Sequence, residues 1–160
     1  MLRVIAAYAK RQESLTIFLG LGLAVLYVFF AVGQLISFEK LSGILTILWP
    51  IDLADVVKLG SALLVVAEVF AIPYLLGMQL STAMRMLSAF FAHAIGLYIV
   101  YVGILTGDSS NALINTGLGG SYVIIPGGWW LIWFGIGINV LLVWYTVRSI
   151  IEVKSTRKHY

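Results

Sequence analysis

The chain contains no cysteine, which removes disulfides, thiolate chemistry and Cys-ligated zinc or iron–sulfur sites. Charge is nearly as scarce: Asp, Glu, Lys and Arg make up 11% of its 160 residues, against about 25% in ordinary soluble domains. Histidine occurs only as His93 and His159, and only His93 falls inside an apolar run. That excludes bis-His haem ligation within one chain, and His93 with a single acid supplies too few ligands for a metal. The net charge of +3 is too small to indicate nucleic acid. No P-loop, GxSxG or HExxH motif is present. Neither an internal repeat nor the paired broken helices of a transporter can be found. Four short spans in one monomer also leave little room for a pore.

What remains is apolar. Hydrophobic residues make up 61% of the chain, and the mean hydropathy is +1.03. They are gathered into long charge-poor runs, the pattern of an integral membrane protein. The length fits a single membrane domain over 1–160. The expected architecture is an all-α bundle of four transmembrane helices, at about 15–38, 57–77, 86–105 and 129–147.

Residues 1–14 form a short basic leader, with Leu2, Ile5, Ala6 and Ala9 at helical spacing, as in an interfacial amphipathic helix. The uncharged run that follows is too long for the apolar core of a signal peptide. In the linker 39–56, Leu41, Ile44, Leu45 and Leu48 recur every three or four residues. This predicts a short amphipathic helix on the membrane surface, with Trp49 as an interfacial anchor and Pro50 in the turn that starts the second span. The polar link 78–85 is short, so the second and third spans are expected to form an antiparallel hairpin. The connection 106–128 is rich in Gly, Ser and Asn, and its apolar pieces 112–115 and 122–125 flank a glycine-rich turn, predicting a small β-hairpin. Trp129, Trp130 and Trp133 mark one interface of the fourth span, and Trp144 and Tyr145 the other. The pairs Gly20/Gly22 and Gly135/Gly137 read as sites of close helix packing.

Basic residues set the expected orientation. With both termini inside, that side holds Arg3, Lys10, Arg11, Arg85, Arg148, Lys154, Arg157 and Lys158, and the other only Lys40 and Lys58. Such a bias predicts an inner-membrane protein with cytoplasmic termini, placing the amphipathic linker and the hairpin outside.

Glu68 interrupts the second span near its middle. A bare carboxylate there is expensive, so the group is neutral, paired, or facing protein or water. Pro73, four residues past Val69, predicts a kink that opens space beside it. At 1.5 Å per residue the hairpin sets Glu68 roughly 14 Å and His93 roughly 11 Å from the same face. Asn139 and Tyr27 lie near the middles of the fourth and first spans. Two readings of these four residues compete. They are structural glue, each interhelical bond contributing about 0.6–2 kcal/mol. Alternatively, Glu68 and His93 are a protonatable pair beside a quinone, held in an aromatic slot of Phe90, Phe91, Tyr98 and Tyr101. In a third reading, Glu68 faces a partner subunit.

The arrangement from 15 to 105 resembles the DoxX-like superfamily of small four-helix membrane proteins, which includes the MauE-type proteins. The shared features are the segment from Gly33 to Lys40, a linker ending at Pro50, Glu68 in the second helix, Gly77 at its end and Arg85 before the third. Two departures are a longer spacing from Gly77 to Arg85 and a longer 106–128 connection. The resemblance implies a membrane component of redox systems, quinone-linked in some members. MauE-type disulfide chemistry would need a thiol partner elsewhere. The expectation is a small accessory or structural subunit of a larger membrane complex, embedded in the lipid bilayer beside other membrane-protein subunits. No cofactor of its own is expected on this chain, whether the isolated chain is an enzyme is left open, and quinone or a bound lipid is the ligand left open. The alternative is a quinone-linked oxidoreductase subunit with its site near Glu68 and His93.

Overall fold

In hydrocarbon no water can satisfy the backbone, so long apolar segments must pair their own N–H and C=O groups as helices. The computed structural model describes residues 2–49, 54–107 and 114–156, with side chains for 14–49, 55–107 and 114–148. Its helices are α1 (Leu2–Ile36), α2 (Phe38–Leu48), α3 (Ala54–Leu75), α4 (Thr82–Leu105) and α5 (Trp129–Thr156). Four stretches are long and apolar enough to cross a membrane: Ser14–Ile36, Asp55–Leu75, Thr82–Leu105 and Trp129–Arg148. The chain is therefore a multi-pass helical membrane protein. The leader is helical and continuous with the first span.

Helix ends follow local chemistry. Gly77, at φ +67°, lets the chain leave α3 in the left-handed conformation. Met78 N–H then bonds the Pro73 carbonyl at 3.0 Å and Gly77 N–H the Tyr74 carbonyl at 3.1 Å, closing a Schellman motif. Pro73 thus falls in the last turn of α3, where the helix is already ending. Ser81 caps α4, its Oγ accepting from Met84 N–H at 3.4 Å. The resulting turn brings α3 and α4 together as the expected hairpin.

Helix α3 packs between α1 and α4, α4 packs on α5, and α5 returns to α1. The shared core includes Leu23, Tyr27, Leu64, Ile95, Ile99 and Leu142. Gly135 lets α5 approach α4 closely: an added Cβ would stand 2.9 Å from the Gly96 carbonyl oxygen. Gly137 faces open space, so only one member of that pair serves packing. At the hairpin end, the Tyr145 hydroxyl donates to the carbonyls of Tyr74 and Leu75 at 3.0 and 3.2 Å.

The opposite end is capped by α2 and the segment 114–128. Leu41, Leu45 and Leu48 of α2 are buried, matching the amphipathic spacing of the linker. Pro50, expected to start the second span, lies outside the described residues. The β-hairpin expected in 106–128 is replaced, among the described residues, by one isolated antiparallel bridge between Asn115 and Pro126. Residues 112 and 113 of its first arm lie outside that set. The reason is the glycine-rich turn itself. Gly117 and Gly120 take φ values of +74° and +72°, which fold residues 116–120 inward onto α1 and α2 instead of extending them. Ser121 N–H consequently bonds Ser37 Oγ at 2.8 Å, across to the α1–α2 corner.

Candidate functional site

Tyr27 and Gln34 are seven residues apart on α1, two helical turns, so both face α3 and α4. Glu68, on the facing side of α3, is completely buried, as is Gln34. The Gln34 amide donates to Glu68 Oε1 at 2.9 Å and to the Leu118 carbonyl at 3.3 Å. One side chain on α1 therefore ties the intramembrane carboxyl group of α3 to the inward-folded cap. Gln34 was missed at the sequence level. The available signal was its seven-residue spacing from Tyr27 in an otherwise apolar span.

The four residues singled out from the sequence do not hydrogen-bond to one another. The Tyr27 hydroxyl donates to the Ala92 carbonyl at 2.7 Å, fixing α1 to α4 one residue before His93. Asn139 bonds within its own helix, to the Gly135 carbonyl at 2.9 Å. Its amide fills the space beside Gly96. His93 is half-buried, and its Nδ1 is buried with no hydrogen-bond partner. Glu68 and Tyr27 remain within electrostatic reach of each other, and Tyr98 joins them.

Among the described residues, three further buried atoms lack a hydrogen-bond partner: Glu68 Oε2, Gln34 Oε1 and the Tyr98 hydroxyl. The Trp49 indole stands edge-on to the Tyr98 ring, centroids 6.5 Å apart, near its hydroxyl but off hydrogen-bond geometry. An unmade hydrogen bond on a buried polar atom costs about 1–3 kcal/mol. A group of them between α1, α3 and α4 marks a place able to hold a polar atom or a proton. Chemically, Glu68 offers a carboxyl oxygen and Tyr98 a hydroxyl.

The aromatic slot does not form as one enclosure. Phe90 and Tyr101 are exposed on the outer face of α4. Phe91 instead packs edge-on against Phe70 at 5.9 Å. Only Tyr98 turns its polar end inward, which follows from helical spacing: 90, 97 and 101 fall on the face away from Ala92, Ile95 and Ile99.

No family model, curated protein or solved structure matches the chain.

Proposed function

We propose that the protein is a small accessory subunit of a larger membrane complex, of the redox or respiratory kind that its DoxX-like sequence features imply. The observation that carries this reading is the pair of hydrogen bonds donated by Gln34. Its amide engages Glu68 and the Leu118 carbonyl together, so the costly intramembrane carboxyl is used to hold the cap on the bundle. Polar bonds at the other joints have the same character, Tyr27 to Ala92 and Tyr145 to the end of α3. A platform fastened in this way presents a fixed lipid-embedded surface to neighbouring subunits. Extraction in a mild detergent should recover the chain with partner subunits at fixed stoichiometry. Its recovery as a lone species across several mild detergents would contradict the proposal.

The second reading keeps a quinone at the same place and rests on the unpartnered Glu68 Oε2 and Tyr98 hydroxyl. It requires Glu68→Gln or His93→Ala to abolish quinone reduction by the intact complex while leaving assembly unchanged. Unaltered turnover in both variants removes it.

Orientation completes the proposal. Both termini face the cytoplasm and the cap faces outward, because eight of the ten basic residues lie toward the two termini or in the first turn of α4. An alkaline phosphatase fused after Tyr160 should be inactive and a fluorescent protein there bright; the reverse pattern inverts the topology.

A further inference from the structure

Away from Glu68, two hollows adjoin on the free side of α1. The first is an apolar groove of about 560 Å³, walled by Val25, Val28, Val32 and Ile36 of α1 and by Tyr122 and Val123 of the cap. Its floor is Gly33, where an added Cβ would stand 2.6 Å from the Gly119 carbonyl oxygen. Val25 and Ile36 are 60% and 68% exposed, so among the described residues no other helix covers the groove.

The second hollow, about 280 Å³, shares Ile36 and Tyr122 with the first and adds Ser37, Glu39 and Lys40. Lys40 Nζ stands 5.5 Å from the centre of the Tyr122 ring, at the junction of the two. Among the described residues Lys40 has no ion-pair partner.

Length and charge together select the occupant. From Val25 to Ile36 is eleven residues, about 16 Å of helix. One leaflet of the hydrocarbon core is about 15 Å thick. The groove therefore spans one leaflet and ends where the Lys40 ammonium meets the headgroup layer. The geometry points to a bound glycerophospholipid, with an acyl chain along Val25, Val28 and Val32 and its phosphate beside Lys40. A lysine near the membrane surface strengthens such binding about fivefold. The aromatic ring under the ammonium holds it over the groove mouth.

Native mass spectrometry with phosphatidylglycerol as the probe tests this. The wild-type chain should retain one phosphatidylglycerol. Lys40→Gln should weaken retention about fivefold, and Lys40 is exposed, so folding is untouched. Val28→Trp, which fills the groove, should remove the adduct, whereas Val140→Trp on the exposed face of α5 should keep it. Equal retention by wild type, Lys40→Gln and Val28→Trp would overturn the assignment. So would efficient self-crosslinking of a Val28→Cys variant, unique in this cysteine-free chain, because a second copy would then occupy the groove.

Discussion

In a Gly120→Val variant, the backbone amides of Thr116 and Ser121 exchange with solvent on the order of a hundredfold faster than in the wild type. The size of the effect comes from two penalties at one residue. Gly120 sits at φ +72°, a conformation that costs an L-residue roughly 1–2 kcal/mol and one that β-branched side chains rarely adopt. The added Cβ would also collide with the Gly33 carbonyl and Ser37 Oγ. The helix backbone at Gly33 cannot retreat, so the cap must lift. Overpacking of this kind costs about 1–3 kcal/mol, and the sum is on the order of 3 kcal/mol. The amides that report on it bond Ile125 and Ser37, at 3.1 and 2.8 Å. Hydrogen exchange followed by mass spectrometry reads both; wild-type rates in the variant would mean that the cap is not seated on α1.

Gln34→Leu is the second large effect. Leucine fills the volume of glutamine but donates nothing, so Glu68 Oε1 and the Leu118 carbonyl lose their shared donor together. Each buried acceptor left unmade costs about 1–3 kcal/mol, giving a loss of about 2–6 kcal/mol in all. Glu68→Gln retains an acceptor oxygen of the same shape for the Gln34 amide and should cost less than about 1 kcal/mol. Unfolding in mixed micelles should therefore rank the variants with Gln34→Leu far below Glu68→Gln. The opposite rank would mean that the carboxyl group itself, and not the bond it accepts, stabilises the bundle.

The spans were legible because hydrocarbon imposes a simple rule on them: twenty or so residues without charge. Four of the helices in the structure are long and apolar enough to cross a membrane, in the four regions where those runs lie. Helix α2 was legible for a related reason, since Leu41, Leu45 and Leu48 repeat at the helical period and bury one face. The cap was not. Its fold depends on where Gly117 and Gly120 turn the chain and on what those turns meet, namely Leu41 and the Gly33–Ser37 corner. Such contacts between residues about 80 apart leave no periodic trace. The polar centre was half legible. Glu68 stood out as the only acid in the middle of its span, and its neighbourhood with Tyr27 follows from depth alone. Its bonding partner did not follow from depth, because side-chain reach decides it. Gln34 lies two turns beyond Tyr27 toward the cap, and two long side chains meet between their helices. His93, which the depth estimate sets near Glu68, makes no bond to it.

Glu68 fastens α3 to α1 and the cap through Gln34. A double-mutant cycle on this pair measures that fastening directly, using Gln34→Leu, Glu68→Leu and the double variant with reversible unfolding in micelles. Removing both partners leaves fewer orphaned groups than removing one. The predicted coupling is about 1–3 kcal/mol, with the double variant more stable than additivity allows. A coupling indistinguishable from zero would contradict the account and return Glu68 to the list of groups kept for chemistry.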